Sequence, residues 1–364
     1  MTEENNKQVE EVKIPVEEAV LPQPGSLVLS TSPHVHDGET ISGIMLKVLI
    51  CLMPVVAASV VVFGFNAVRV IVYCTVFCAG LEYLWNVCTR QPQTVRDLSA
   101  VVTGVILALN LPSMVPWWIC LVGSFFAIII AKEVFGGLGQ NPFNPAAVGR
   151  VALLVGFAGY MTKWAKPMQD FMQCCDLETG ATPLGMAKGI AASGGFFETL
   201  ESSDALWQSF VGNIGGSLGE TSALAVLLGG IMLIAFRLIK WEIPVAMIGA
   251  SWIFTWIVSR NAPELTPGPN FHILSGGLML GAFFMATDMV TSPISKNGAW
   301  IFGALIGIIA CVIRIWGGYP EGVSFAIVIA NALVPLIDRF CLKRPIGWSP
   351  ASTSALNMRR GEVK

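Results

Sequence analysis

Ten apolar tracts constrain the fold of this chain more than any other feature of its sequence. A helix needs about 20 apolar residues to cross the hydrocarbon core of a bilayer, and fewer where it is broken inside the protein. Charged residues make up only 13% of the chain, against about 25% in soluble domains. The sequence therefore predicts an all-α polytopic membrane protein. The tracts span residues 43–64, 67–88, 98–111, 115–132, 144–161, 222–239, 242–259, 271–288, 299–315 and 321–338.

Basic residues between the tracts predict the orientation of the chain. Lysines and arginines are more frequent in the loops that are cytoplasmic when the N-terminus is cytoplasmic, so both termini are predicted to lie inside. The acidic N-terminal stretch lacks the apolar core of a cleavable signal peptide. The expected organisation is a cytoplasmic tail, a membrane unit, an extracytoplasmic loop, a second membrane unit and a second cytoplasmic tail. These regions correspond to residues 1–40, 41–161, 162–220, 221–340 and 341–364.

Two windows of the sequence resemble each other. Residues 103–146 and 275–326 each contain a small-residue helix, a proline-marked break, a tryptophan-led tract and a Gly-Gly turn. The turn at 136–137 corresponds to the turn at 317–318. The flanking tracts then group as five plus five, and an odd number per unit places the two units in opposite orientations. The sequence therefore predicts two inverted five-helix repeats with short or broken helices.

Two asparagines stand beside prolines between the fourth and fifth tracts. In GQNPFNP, Asn144 would cap a helix that begins at Pro145, and Asn141 would belong to the preceding turn. The alternative is a ligand pocket, because amide side chains offer donors and acceptors to the edge of a heterocycle. Arg150 follows on the same helix, and a buried arginine needs a partner or an anionic ligand.

Two carboxylates within the apolar tracts are candidates for an ion path. Glu82 lies inside the second tract, and Asp288 lies at the end of the eighth. An ionisable residue at membrane depth indicates a function by default. The alternatives are an ion pair for Glu82, with Arg69 or Lys47, and a position at the water interface for Asp288.

Several kinds of site are absent from the sequence. No CxxC occurs among the nine cysteines, so no iron–sulfur or zinc site is indicated, and most of the thiols are predicted to be buried as small apolar groups. His34 and His36 lack further ligands and favour an interfacial loop. No Walker loop or GxGxxG precedes a helix. The net charge of -2 argues against nucleic acid as a partner.

The predicted outer loop contains a short polar stretch, DLETGATPLG, that begins at Asp176. A simple loop turn is one interpretation, since threonine followed by glycine suits turn chemistry. The alternative rests on the T-G-A-T sequence formed by Thr179, Gly180, Ala181 and Thr182, with the acidic residue three positions before it and Pro-Leu after it. This pattern resembles the S/T-G-A-T flavinylation sequence of membrane flavoproteins.

Three motifs together carry a family resemblance. With T-G-A-T, the stretches KEVFGGLGQNPFNPAAVGR and MATDMVTSP occur in order among the apolar tracts. The set resembles the RnfD/NqrB family of membrane proteins. Its RnfD branch belongs to the Rnf complex, an ion-translocating ferredoxin:NAD+ oxidoreductase, and its NqrB branch belongs to the sodium-translocating NADH:quinone reductase. The SPHVHDG stretch at 32–38, before the first tract, is closer to the Rnf branch. The resemblance covers about residues 30 to 345.

The resemblance implies two flavins. Thr182 would carry FMN through a phosphoester bond, which a separate flavin transferase would make from FAD. The transferase would need an accessible loop, and Gly180 and Ala181 leave little bulk beside the hydroxyl. A riboflavin or similar flavin would be bound without a covalent bond in the membrane part, with Asn141 and Asn144 as candidate polar contacts.

The resemblance also implies a respiratory function in the bacterial cytoplasmic membrane. The chain would work with other membrane and peripheral subunits, pass electrons through its covalent FMN, move Na+ or H+, and have no catalytic activity alone. The residues themselves show no set of oxygen ligands that selects the ion. An inverted-repeat secondary transporter or channel without a redox cofactor is the alternative, and a scaffold that has lost its flavin is a third interpretation.

Overall fold

The computed structural model describes residues 39–167, 178–319 and 321–341. Within these ranges the chain is helical, and the one strand-like pairing is an isolated bridge between Ala165 and Thr179. The predicted all-α class is therefore confirmed for the described residues. The predictions for His34, His36, Asp176 and almost all of the two tails concern residues outside these ranges, and Cys174 and Cys175 also lie outside them.

The first part of the described chain forms two long helices followed by shorter ones. The fourth helix continues into one π-helical turn, Phe126–Ile130. The helices are α1 Ile41–Phe63, α2 Phe65–Thr89, α3 Ser99–Leu109, α4 Trp117–Phe125, α5 Pro145–Gly156 and α6 Ala158–Met161.

The middle of the chain forms three helices in the predicted outer loop, α7 Pro183–Ser193, α8 Glu198–Glu201 and α9 Ser203–Val211. Two further apolar helices follow, α10 Ala223–Ala235 and α11 Glu242–Asn261. The next tract is broken into α12 Pro269–Leu274, the single turn α13 Leu278–Leu280 and a π-helical turn, Gly281–Met285. The chain then forms α14 Lys296–Trp316 and α15 Val323–Cys341.

Six helical segments in the described residues are long and apolar enough to cross a membrane. They correspond to α1, α2, α4 with its extension to Phe135, α11, α14 and α15. The other four predicted tracts also contain helix, but α3, α5 and α10 are shorter and the eighth tract is broken. A polytopic membrane protein is therefore supported, whereas ten full crossings are not established.

Glycines allow the closest contacts between the long helices. A Cβ at Gly303 would lie 2.6 Å from the carbonyl oxygen of Ile243, and one at Gly307 would lie 2.5 Å from that of Met247. Small residues four positions apart let two helix backbones approach, as in other membrane helix pairs. This pair explains the tight packing of α14 against α11.

The thiols mostly follow the prediction. Five of the described cysteines are buried, namely Cys51, Cys74, Cys78, Cys120 and Cys311. The prediction was wrong for Cys88, which is exposed near the end of α2, and Cys341 is half-buried at the end of α15.

The two ends of the helix bundle carry different groups of polar residues. We call the end at which α5 begins the Asn144 end, and the end at which α7 contacts the residues after α14 the Thr182 end. At the start of α14, the Lys240 ammonium donates to the carbonyl oxygen of Pro293 at 2.6 Å. At its far end, the Lys188 ammonium donates to the carbonyl oxygen of Tyr319 at 2.7 Å. The 21 residues of α14 separate the two ends by about 30 Å.

Candidate functional sites at the two ends of the bundle

Thr182 is the N-terminal cap of α7. Its backbone is extended, with φ −72° and ψ 156°, and its hydroxyl oxygen accepts a hydrogen bond from the Gly185 amide at 3.0 Å. Pro183 follows as the first helical residue, where its missing N–H costs no hydrogen bond. The T-G-A-T sequence therefore ends at a helix start.

The rest of the motif lies in an exposed loop. Thr179 and Ala181 are exposed, Gly180 is half-buried, and the Gly180 amide donates to the carbonyl oxygen of Trp164 at 3.0 Å. The Thr182 residue itself is only 9% exposed. The loop is thus exposed as expected, whereas Thr182 itself is buried and its hydroxyl caps the helix.

A narrow cleft lies beside Thr182. It has room for about 10 Å³, close to the space that a single water needs. A flavin ring therefore does not fit inside the cleft. The lining residues are Thr182, Pro183, Leu184, Ile214, Gly215, Gly216, Glu220, Gly276 and Glu321.

The two cleft carboxylates bind one buried arginine. The Arg150 guanidinium donates to Glu220 at 2.9 Å, to Glu321, and to the Asn110 side-chain oxygen at 2.7 Å. Arg150 is 2% exposed. The prediction that it needs an anionic partner is confirmed, and the partners come from the segments that precede α10 and α15. The pairing satisfies charges that would otherwise be costly to bury.

A larger cavity lies at the Asn144 end. It encloses about 260 Å³, close to the lower limit of small-molecule sites. Its wall is mostly apolar, from α1, α3, α5, α10 and the second π-helical turn. The polar groups on the wall come from Ser99, Thr103, Lys132, Asn141, Asn144, Thr287 and Asp288.

Asn141 and Asn144 both border this cavity, but they differ in whether their side-chain amides have hydrogen-bonding groups without a partner. The Asn144 side chain accepts from the Ala147 amide at 3.1 Å and donates to the Met285 carbonyl oxygen at 3.0 Å. Its predicted capping role is confirmed. Asn141 donates to the Phe143 carbonyl oxygen at 3.1 Å, while its own side-chain oxygen is buried without a partner. Asn141 therefore retains an acceptor that a ligand could use.

Glu82 lies behind the cavity and forms an ion pair. The Lys132 ammonium donates to it at 2.6 Å and to the Ser99 hydroxyl at 2.8 Å. The Thr94 hydroxyl donates to its other oxygen at 2.6 Å. The cationic partner is thus Lys132, whereas the sequence suggested Arg69 or Lys47. Both members of the pair are almost fully buried.

Asp288 lies beyond the second π-helical turn. Its carboxylate accepts from the Val290 amide at 3.4 Å and the Thr291 hydroxyl at 3.2 Å. The side chain borders the cavity and is partly exposed. Within the described ranges, no group of three His, Cys, Asp or Glu side chains could hold a metal ion.

A line of polar contacts connects the two ends. The Asn110 amide that binds Arg150 also donates to the sulfur of Met285 at 3.4 Å. The carbonyl oxygen of Met285 accepts from Asn144. The fold thus does not bring Thr182 and the two asparagines together. The line of contacts instead joins Arg150, beside the cleft, to Asn144 by way of Asn110 and Met285.

Comparison with known proteins identifies the family. The model of the NQR2, RnfD, RnfE family matches residues 28–347. The chain belongs to this family.

Relatives in the NQR2, RnfD, RnfE family align over most of their length. The chain is 43% identical over 313 residues to the D subunit of the proton-translocating ferredoxin:NAD(+) oxidoreductase complex of Clostridium ljungdahlii, covering 86% of this chain and 93% of the relative. It is 41% identical over 322 residues to the D subunit of the Na(+)-translocating ferredoxin:NAD(+) oxidoreductase complex of Acetobacterium woodii, and the alignment covers 88% of this chain and 96% of that relative. It is 41% identical over 331 residues to the D subunit of the ion-translocating oxidoreductase complex of Stutzerimonas stutzeri, and the alignment covers 85% of this chain and 93% of that relative.

The family match includes both ends of the bundle, yet several of their residues were not found from the sequence. Asn110, Glu220 and Glu321 complete the Arg150 cluster without having been candidates. One signal was available for Glu321, because it follows the second Gly-Gly turn, the counterpart of the turn before Asn144. Nothing in the local sequence pointed to the other two.

Proposed function

We propose that the chain is the membrane subunit of an ion-translocating ferredoxin:NAD+ oxidoreductase and passes electrons through FMN bonded to Thr182. The observation that carries the proposal is the position of the T-G-A-T sequence in an exposed loop, with its last hydroxyl at a helix start, in a chain of the family whose relatives bear that name. Bound FMN supplies the redox chemistry, and the chain supplies its position and electrostatic environment.

The attachment requires a balanced transfer from FAD. A bond forms between the Thr182 oxygen and the phosphorus of the FMN half of FAD. The bond from that phosphorus to the bridging oxygen of the pyrophosphate breaks, AMP leaves with the bridging oxygen, and the hydroxyl proton is released. A separate flavin transferase would carry out this step. Because the hydroxyl caps α7, the loop must open before the transferase can reach it. Once attached, the phosphate lies at a helix N-terminus, which favours an anion.

A second flavin, bound without a covalent bond, would occupy the cavity at the Asn144 end. The unpartnered oxygen of Asn141 suits an N–H donor on the edge of a flavin ring. The apolar wall suits the ring faces. This part of the proposal rests on the cavity and on that single free acceptor.

Ion movement would use the carboxylates near this cavity. Asp288 borders it directly, and Glu82 lies behind Lys132. The relatives include a complex named for protons and one named for Na+, so we propose coupling to H+ or Na+ without choosing between them. Other subunits of the complex would supply and accept the electrons.

The proposed architecture is a pair of inverted five-helix units in the bacterial cytoplasmic membrane. The pattern of helix contacts supports it, since α2 packs against α4 as α11 packs against α14, and α1 packs against α10. Both termini would be cytoplasmic, and the Thr182 end would face the outside. The separation of the two ends also matches the hydrocarbon thickness of about 30 Å.

The covalent flavin is tested on the full chain in membranes, made together with its flavin transferase. We expect a fluorescent band at the size of this chain on a denaturing gel under ultraviolet light. Thr182→Val and Thr182→Asn should both abolish the band, and asparagine retains an acceptor for the helix cap. Ser193→Ala, which removes an exposed hydroxyl at the far end of α7 and outside the T-G-A-T sequence, should keep it. Fluorescence that survives in Thr182→Asn would refute the attachment. A transporter without a cofactor predicts no band in any variant.

The second flavin is tested by extraction. Acid should release a non-covalent flavin from the purified chain and leave the covalent one on the protein. Asn141→Leu should weaken retention by about 1 kcal/mol, or roughly fivefold, because one hydrogen bond is lost. Gln140→Leu changes an exposed neighbour and should have no effect. Equal retention in both variants would contradict the role of Asn141.

A further inference from the structure

The Lys132 ammonium lies between two buried carboxylates. It is 2.6 Å from an oxygen of Glu82 and 3.7 Å from an oxygen of Glu133. All three residues are at most 7% exposed. Glu82 belongs to α2, whereas Lys132 and Glu133 follow the π-helical turn that extends α4. One buried cation is therefore shared, unequally, by two buried acids from different parts of the chain.

The two carboxylates differ in their hydrogen bonds. One oxygen of Glu82 accepts from Lys132, and the other accepts from the Thr94 hydroxyl at 2.6 Å. The Oε1 atom of Glu133 faces the ammonium but is buried and accepts no hydrogen bond from the described residues. An ionised carboxylate needs donors, and burying one of its oxygens without them is costly. The surroundings of Glu82 therefore suit the ionised form, and those of Glu133 suit the protonated form.

The charges of the cluster lead to the same assignment. Two ionised carboxylates and one ammonium would leave an uncompensated negative charge in a buried site, which is unfavourable. Cys78 on α2 lies near Lys132 and Glu82, and Asp288 lies on the same cavity wall as Lys132, but neither side chain can supply a positive charge. Within the described ranges, no group of three metal-binding side chains occurs. A proton is therefore the cation that fits.

Glu133 lies on the more open side of the cluster. A Cβ on Gly137 would have one described atom within 4 Å beyond its chain neighbours, Oε2 of Glu133 at 3.8 Å. Val134 and Phe135, which follow Glu133, are exposed, whereas Glu82 is 0% exposed. The glycine turn thus leaves room beside the Glu133 carboxyl, and Glu82 lies deeper in the bundle.

We propose that Glu133 binds a proton and exchanges it with Glu82 as the Lys132 ammonium moves between the two carboxylates. In one state Glu133 is protonated and Lys132 pairs with Glu82. In the other state the O–H bond of Glu133 has broken, an O–H bond has formed on Glu82, and Lys132 pairs with Glu133. Both states contain one proton and one ammonium, so the net charge of the cluster stays at zero. The inference deepens the proposed ion movement, on which its role in transport rests.

Infrared spectroscopy of the full chain in lipid vesicles at neutral pH tests the proposal, because protonated and ionised carboxyl groups absorb at different frequencies. Glu133→Gln should remove the band of one protonated carboxyl. Glu82→Gln should remove it as well, because Lys132 then pairs with Glu133 and ionises it. Lys132→Met should add a second such band, because both acids then need a proton. The exposed control Glu198→Gln should leave the spectrum of protonated carboxyls unchanged.

Two spectra would overturn the proposal. If Glu133→Gln leaves the protonated band intact, Glu133 is ionised in the parent chain. If Glu82→Gln leaves it intact, the proton is fixed on Glu133 and does not exchange. Loss of the band on addition of Na+ would show that Glu133 binds Na+ in place of a proton, which also contradicts the assignment.

The melting temperature separates a proton site from a structural ion pair. Glutamine resembles a neutral carboxyl, so Glu133→Gln should melt at the temperature of the parent chain. A large drop would show that Glu133 is an ionised partner of Lys132 and would overturn the proposal.

The role in transport is measured on the complete complex in vesicles. Glu133→Gln should abolish proton transport and keep the fluorescent band of covalent flavin, and unchanged proton transport would overturn the proposal. Failure of the proposed function looks different. The complex would then transport no ions even in the parent form, while the infrared band of the chain, which requires neither flavin nor other subunits, would still depend on Glu133.

Discussion

The Thr182 end and the Asn144 end differ in how they use charge and space. At the Thr182 end, two carboxylates line a cleft of about 10 Å³ and bind one buried arginine. At the Asn144 end, a mostly apolar wall borders a cavity of about 260 Å³, and the buried Lys132 pairs with Glu82 and Glu133. The first arrangement leaves little free space and pairs its buried charges with one another, and the second leaves an apolar space with few polar groups on its wall. The two ends therefore differ in whether paired charge or free space dominates.

Removing the central arginine of the Thr182 end should have the largest effect on stability. Arg150→Gln leaves Glu220 and Glu321 without their cation, and breaking a buried pair costs about 3–5 kcal/mol. The melting temperature of the detergent-solubilised chain measures the loss, with Arg260→Gln as an exposed control. A melting temperature equal to that of the control would show that charge pairing does not hold this end together.

The buried lysine at the Asn144 end should matter somewhat less. Lys132→Met strands Glu82 and removes a longer contact of 3.7 Å with Glu133. We expect a loss of about 3 kcal/mol, at the low end for a broken buried pair, because the Thr94 hydroxyl still donates to Glu82. The double variant Glu82→Gln/Lys132→Met should recover much of that loss. If the double variant is as unstable as Lys132→Met alone, the charge pair is not the source of the effect, and the contrast between the ends weakens.

The smallest effect concerns the exposed loop before Thr182. A hydrogen bond from Lys166 at 2.6 Å, and then its charge, lower the pKa of the Glu178 carboxyl. The stabilising pair is therefore complete above the ordinary glutamate pKa of about 4.3 and is lost as the pH falls through the lowered value. The protection factor of the Lys166 amide, which donates to the Glu178 carbonyl oxygen, should fall slightly on acidification once the rate is corrected for intrinsic exchange at each pH. In Glu178→Gln, this extra response to pH should disappear, and a response that persists would assign it to another group.

Local features of the fold were predictable because they depend on neighbouring residues. Asn144 before Pro145 indicates a helix start, and the helix begins there. The broken eighth tract follows from its glycines, since flexible residues favour interrupted helices. The T-G-A-T sequence could be recognised by its pattern alone, but its position at the start of α7 required the fold of the outer loop.

Long-range partners were not predictable in the same way. Arg150 needed an anion, but Glu321 is 171 positions away, and many carboxylates were possible partners. Glu82 was assigned a partner on its own or the preceding tract, while Lys132 lies 50 positions further along the chain. The burial of the Thr182 hydroxyl depends on the docking of α7, which no short window of sequence contains.

The Arg150 cluster also bears on the order in which the polypeptide matures. Its members appear from the ribosome in the sequence Asn110, Arg150, Glu220 and Glu321. The last of them immediately precedes α15, the final described helix. A nascent chain therefore cannot complete this set of ion pairs until almost the whole polypeptide has been translated. If translation stops before that point, the Arg150 guanidinium lacks the carboxylate of Glu321.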